Sequence, residues 1–212
     1  MALLNDGING GFTGKAGSII GYQLNGKWII KGLPKLSKKN KEGTLSQNVC
    51  RKKFTLMQAF LSRVLGYIKI GFNIESKLRM MTAHNAAKSY NMLHAFDEYD
   101  EIDYSKICLT YGNLTGVKDP QYLTNDLGIQ FTWTHEIYPD YNRNYDQVMI
   151  LAFSPKDNIA FSVCSGSKRK SGTEVLEIPS FYKGSKFHTW ISFVSDDRLS
   201  ISMSSYVGVI TY

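Results

Sequence analysis

A chain of 212 residues with 43% hydrophobic and 20% charged side chains has a globular composition, which excludes a disordered or fibrous polymer. Area scaling for this length buries about 70% of the unfolded surface, enough for one large domain or two small ones. With 25 basic against 18 acidic residues the net charge is +7, a bias towards anionic partners that falls short of a nucleic-acid signature.

Residues 1 to 34 are glycine-rich. Within them Ser18-Ile19-Ile20-Gly21-Tyr22-Gln23-Leu24 and Lys27-Trp28-Ile29-Ile30-Lys31 flank Asn25-Gly26. Two β-prone runs around residues that accept positive φ predict a hairpin with a type I′ turn. A lone two-stranded hairpin is marginal in water, so Ile19, Ile20, Tyr22, Trp28, Ile29 and Ile30 need cover from the rest of the chain or from a neighbouring subunit. Upstream, Gly11-Phe12-Thr13-Gly14-Lys15-Ala16 fails as a phosphate loop. No Ser or Thr follows Lys15 to hold magnesium, and a hairpin rather than a helix comes next. The better reading is a glycine-rich arm whose backbone packs closely on a partner.

Residues 34 to 43 are basic and rich in breakers. From Lys31 to Lys53 the cations Lys35, Lys38, Lys39, Lys41, Arg51, Lys52 and Lys53 face a single acid, Glu42. They could bind phosphate by charge, with Trp28 and Tyr22 stacking on bases, or they could be a solvated linker running into the polar face of a helix. That helix opens at Thr44, which with Gln47 resembles a capping box. Cys50, Phe54, Met57, Leu61, Val64 and Ile68 then recur at spacings of four and three and share one stripe, which makes Cys50 a core thiol. Gly66 and Gly71 mark where the helix weakens and stops. A second helix is predicted from Thr82 to about Phe96, packing through Ala83, Ala86, Ala87, Tyr90 and Leu93. The acidic run Asp97 to Asp103 closes the segment as a solvated boundary without the glycine or spacing of a calcium loop.

From Tyr104 the period changes from helix to strand. The predicted strands are Lys106–Tyr111, Gly128–His135, Gln147–Phe153, Ile159–Cys164, Glu174–Ile178, Phe187–Val194 and Ser200–Ile210. Short strands with turn signals between most of them describe an antiparallel sandwich. Phe131 and Trp133 alternate onto its core, and Pro179 to Gly184 reads as a corner crossing between sheets. The fold expected is α+β: a hairpin arm with basic linker over 1–43, a two-helix segment over 44–103, and an immunoglobulin or fibronectin III-like sandwich over 104–212.

Residues that could carry chemistry do not assemble into a motif. Cys50, Cys108 and Cys164 are odd in number and show no C-x-x-C, so buried free thiols are expected rather than a disulfide framework or zinc. His84, His94, His135 and His188 are scattered, no serine sits in a G-x-S-x-G elbow, and Asp196-Asp197 fall in a predicted turn. No enzyme, metal or cofactor is therefore expected. The loop Tyr138 to Tyr145, with Tyr138, Tyr141, Asn142, Arg143 and Tyr145, has the Tyr and Asn content of an adaptable recognition surface. No basic n-region precedes an apolar core at the start, and the apolar runs stop short of the ~18 residues a membrane helix needs. The expected location is the cytoplasm, or an assembly exported by another route.

A family resemblance covers nearly the whole chain. Asn9-Gly10-Gly11-Phe12-Thr13-Gly14-Lys15-Ala16-Gly17, Gly32-Leu33-Pro34, Ser46-Gln47-Asn48 through Phe54, and Asn85-Ala86-Ala87-Lys88-Ser89-Tyr90 occur in order. Phe131-Thr132-Trp133 and Phe193-Val194-Ser195 follow them. The set resembles an uncharacterised domain-of-unknown-function family of bacterial (Bacteroidota) proteins of about this length. The resemblance implies that arm, helices and sandwich form one unit and transfers no catalytic residue. The function expected is a non-enzymatic structural or binding protein that self-associates through its arm into a homo-oligomer, as in a surface, filament or virion assembly. The alternatives are a nucleic-acid or polyanion binder using Lys35 to Lys53 and a carbohydrate-binding module using the Tyr138 to Tyr145 loop.

Overall fold

The computed structural model describes residues 2–4, 10–33, 42–134 and 141–212, with the backbone alone at 141 and 142. They divide into two compact units, 1–48 and 49–212.

The first unit holds a four-stranded antiparallel sheet in chain order: β1 (Ala2–Leu4), β2 (Phe12–Ala16), β3 (Ile19–Leu24) and β4 (Lys27–Gly32). The expected hairpin is β3–β4. Asn25 and Gly26 turn at φ 50° and 77°, both positive as a type I′ turn demands. The register runs from Leu24 opposite Lys27 to Ile19 opposite Gly32, and Leu33 N donates to Ser18 O at 2.8 Å beyond it. Two further strands extend the hairpin, β2 setting Gly14 opposite Gly21 and β1 setting Leu4 opposite Phe12.

Thr44 and Gln47 form the expected capping box: Gln47 N donates to Thr44 Oγ1 (3.3 Å) and Thr44 N to Gln47 Oε1 (3.0 Å). They start α1 (Leu45–Arg63), followed by α2 (Leu65–Gly71), α3 (Asn73–Leu78) and α4 (Ala83–His94). The segment read as two helices thus holds four. The first breaks at Val64 and again at Phe72, where the backbone leaves helical values, yet Met57, Leu61, Val64 and Ile68 stay on one buried stripe. Cys50 is exposed, which corrects its reading as a core thiol, and Phe54 is half-exposed beneath Lys88 Nζ, 4.2 Å from its ring. Periodicity tells which residues share a face but not how far along the helix that face is covered. On α4, Thr82 accepts from Asn85 N as N-cap, and Ala86 and Ala87 are buried as expected. Leu93 instead lies exposed and Asn91 is fully buried.

The second unit continues into β5 (Gln121–Asn125), β6 (Gly128–Thr132), β7 (Gln147–Ser154), β8 (Ile159–Val163), β9 (Thr173–Glu177), β10 (Lys186–Val194) and β11 (Ser205–Thr211). They form a three-stranded sheet in the order β5-β6-β9 and a four-stranded sheet in the order β11-β10-β7-β8. This three-on-four antiparallel order is that of a fibronectin III-like sandwich. The segment Ser180–Tyr182, a 3₁₀ turn after Pro179, carries the chain from one sheet to the other at the predicted corner. Lys106–Tyr111 is not a strand, and β5 takes the expected first place. The backbone of that segment is engaged elsewhere: Cys108 with the Asn91 side chain, Leu109 N with Ser204 Oγ, and Tyr111 N with Gly71 O. The last strand begins at Ser205 rather than Ser200, and Ile201 and Ser202 make only isolated bridges.

Two cores lie on opposite faces of the four-stranded sheet. Val148, Ile150 and Ala152 of β7 pack with Ile129, Phe131, Trp133 and Leu176 of the facing sheet. Met149, Leu151 and Phe153, alternating with them, pack with Met57, Leu61, Tyr67 and Ile68 of the helices. The order is therefore helices, four-stranded sheet, three-stranded sheet. It explains why β7 reads as an unbroken apolar run: both faces are buried, as in the central sheet of a layered fold. Each such side chain contributes about 1.5–3 kcal/mol of burial. None of the described helices is long and apolar enough to cross a membrane.

Candidate functional site

Among the described residues, the sheet of the first unit is largely exposed. Among residues 2–4 and 10–33 only Gly21 is buried, while Leu3, Leu4, Leu24 and Ile30 are more than half exposed. Register and the two-residue alternation of strands assign the faces. One face carries Leu4, Phe12, Ile19, Trp28 and Ile30 with Ala2, Gly14, Ala16, Gly21, Gln23 and Gly32, and no charged residue. The other carries Leu3, Ile20, Tyr22, Leu24 and Ile29 among Thr13, Lys15, Lys27 and Lys31. The six residues predicted for self-association are thus split three and three: Ile19, Trp28 and Ile30 on the uncharged face, Ile20, Tyr22 and Ile29 on the basic one. Leu4 and Phe12, outside those six, complete the uncharged face. Their signal is the alternation of Phe12, Gly14 and Ala16, hidden by the glycines.

Glycine is required inside this sheet for contact. A Cβ on Gly11 would enter the Trp28 indole, and one on Gly21 would meet the backbone oxygen and ring of Phe12. The two large aromatics therefore occupy the space that side chains at these two positions would fill.

Of the basic residues proposed for anion binding, Lys35, Lys38, Lys39 and Lys41 lie outside the described residues, while Arg51, Lys52 and Lys53 stand on α1. Lys52 Nζ pairs with Glu101 at 2.6 Å and Lys53 Nζ with Asp100 at 2.7 Å. The acidic run is held to receive them: Asp97 Oδ1 accepts from Tyr99 N and Glu101 N, and Phe96 bridges to Ile102. The pairing with Glu101 raises the Lys52 pKa, and both pairs are accessible enough for water and salt to screen them. Lys52 and Lys53 are thus brought to the acidic run, which lies far from them in sequence.

In the recognition loop, Tyr138 lies outside the described residues and the side chains of Tyr141 and Asn142 are likewise outside. Arg143 Nη1 donates to Thr115 Oγ1 at 3.2 Å, and Lys168 and Lys170 lie 4.4 and 4.7 Å over the Tyr145 ring. Arg143 and Tyr145 line a cavity of about 450 Å³ together with Asp146, Ser195, Asp196 and Ser200. Asp197, also in its lining, accepts from Ser195 Oγ and Leu199 N, and these bonds hold its carboxyl below the usual range. Its work is to shape the β-turn before Leu199. Among the described residues no three His, Cys, Asp or Glu side chains cluster closely enough to hold a metal ion.

The three thiols differ in reach. Burial pushes the Cys108 thiol up to about 12 and raises that of Cys164, whereas Cys50 is exposed. In the native protein a thiol reagent at neutral pH is expected to label Cys50 rapidly and Cys108 only after unfolding. Mass spectrometry of the labelled peptides checks this; labelling of Cys108 as fast as Cys50 would contradict the buried placement.

Residues 11–208 match DUF6266, a family of unknown function, and the chain belongs to that family. No curated protein and no solved structure matches the chain. The family match begins within the arm and ends within β11, so it spans β2 to β4, the helices and nearly all of the sandwich.

Proposed function

We propose that this protein is a non-enzymatic structural or binding component that self-associates through its N-terminal sheet, in an assembly of the surface, filament or virion type. One observation carries the reading: an uncharged sheet face with Leu4 and Ile30 more than three-fifths exposed and Trp28 and Ile19 more than a third. Apolar area of this kind on a soluble protein marks an interaction surface, and its removal from water drives association at about 25 cal/mol per Å². The nucleic-acid alternative has less support, because Lys52 and Lys53 already face Glu101 and Asp100.

Light scattering after size exclusion tests the proposal from micromolar concentrations upwards. The full chain is expected to elute as an oligomer, and Leu4→Asp with Ile30→Asp to weaken association by at least about tenfold, since each places a charge where an apolar contact forms. A full-length chain that is monomeric throughout, and unchanged by deletion of residues 1–33, would overturn it.

A further inference from the structure

Resting on that reading, we infer that two copies join edge to edge through β4, antiparallel, with Ile30 opposite Ile30 of the second copy, making one continuous eight-stranded sheet. The backbone argues first. In a two-residue hairpin the residues flanking the turn exchange both hydrogen bonds, and bonded pairs alternate from there. Leu24–Lys27, Tyr22–Ile29 and Ile20–Lys31 are then the bonded pairs, in step with the observed Leu33 N to Ser18 O bond. Trp28, Ile30 and Gly32 therefore direct their N–H and C=O groups away from β3. Among the described residues no strand adjoins that side of β4. Such an edge is a template for another strand.

Of the two registers that overlap β4 (Lys27–Gly32) most fully, centred on Ile29 or on Ile30, charge then selects one. A two-fold axis normal to the sheet keeps the uncharged face on one side, and it must pass through a residue that stands opposite itself. Centring on Ile29 sets Lys27 against Lys31 of the second copy twice, and like charges directly opposite are destabilising. Centring on Ile30 sets Ile29 against Lys31 and Trp28 against Gly32, with no like-charged pair. It also aligns three bonded pairs, Trp28–Gly32, Ile30–Ile30 and Gly32–Trp28, each exchanging two hydrogen bonds. Opposite Trp28 there is then no side chain, so the indole keeps its place on Gly11. Nothing in the chain's own described residues calls for glycine at position 32: a Cβ there would meet no atom within 4 Å, and its φ lies outside the left-handed range. A second copy is the partner this edge fits, because the same six residues supply both the bonding groups and the charge pattern that avoids itself. The two uncharged faces merge into one.

Cysteine cross-linking reads the register. On a Cys50→Ser background, Ile30→Cys and Ile29→Cys are each oxidised with glutathione disulfide in the full-length protein. Directly opposite residues of a bonded pair stand with Cα atoms about 5.5 Å apart, inside the range a disulfide spans. Ile30→Cys is expected to yield mostly covalent dimer and Ile29→Cys little. Separately, Lys31→Glu is expected to change the association constant by less than about twofold, whereas an Ile29-centred register would tighten it by setting Glu against Lys27. Cross-linking by Ile29→Cys in place of Ile30→Cys, or tightening by Lys31→Glu, would overturn the register. Association of the uncross-linked protein with neither variant forming dimer would overturn the edge contact while leaving self-association standing. A chain monomeric up to about 1 mM would overturn both.

Discussion

Replacing Arg169 with methionine is expected to destabilise the protein by about 3–5 kcal/mol, the cost of leaving one member of a buried ion pair uncompensated. Arg169 and Asp146 have side chains 4% and 3% exposed, joined by Nη2 and Nε to Asp146 Oδ2 at 3.0 and 3.1 Å. The same guanidinium donates to Thr115 O (2.7 Å) and Gly116 O (3.1 Å) and lies 3.7 Å over the Phe193 ring. It thereby ties the loop before β5 and the segment before β7 to β10 at one end of the sandwich. Removal takes the guanidinium from a buried carboxylate and from two carbonyls at once. For a chain of this size the loss lowers the midpoint of thermal unfolding by on the order of 10 °C. The double variant Asp146→Leu with Arg169→Met should recover part of the loss, because it also removes the buried charge while Thr115 O and Gly116 O still lack the guanidinium. Urea unfolding of the three variants checks this. An Arg169→Met variant within about 1 kcal/mol of the parent would show that the pair is not structural.

Asn91→Leu is expected to cost about 2–4 kcal/mol although it places an apolar residue in a core. Asn91 Nδ2 donates to Cys108 O and to Ala87 O (2.8 and 2.9 Å), and Cys108 N donates to Asn91 Oδ1 (2.8 Å). The side chain acts as the missing strand for Cys108, satisfying both its backbone groups where water cannot reach. Leucine leaves both unpaired, at about 1–3 kcal/mol each, offset in part by burial of the new side chain. Asn91→Asp keeps the acceptor and loses both donor bonds, so it too should fall well below the parent in urea. If Asn91→Leu proved neutral, the segment at Cys108 would have to find other partners, and hydrogen exchange at the Cys108 amide would show that.

Neither Arg169 nor Asn91 belongs to a pattern that residue spacing reports. The helical stripe Met57, Leu61, Val64 and Ile68 was legible, because spacing alone reports which residues share a helix face. Leu93 and Asn91 could not be told apart that way: both sit on α4, and the neighbour that buries Asn91 is a stretch of backbone seventeen positions away. The same stretch, Lys106–Tyr111, has the composition of a strand without being one. Its backbone bonds go to a side chain, a hydroxyl and a helix end. The strand that takes its place, β5, is exposed along its length, and its five residues lack the apolar alternation that signals one. What could have revealed it is Asn125, whose Oδ1 accepts from Leu127 N and Gly128 N and turns the chain into β6.

The candidate site divides in the same way. Asn25-Gly26 alone determined the hairpin and its register, since a type I′ turn needs positive φ at both positions and fixes which residues face each other. The residue spacing likewise determined the capping box, the Phe131 and Trp133 core positions and six of the seven strand locations, all of them consequences of local geometry. Only the tertiary structure decided that β1 and β2 join the hairpin and sort its apolar residues onto one uncharged and one basic face. It also decided that Lys52 and Lys53 meet the acidic run, and that helices cover the outer face of the four-stranded sheet. Those outcomes depend on which distant segments come together, and a residue's own type carries no information about the partner that will reach it.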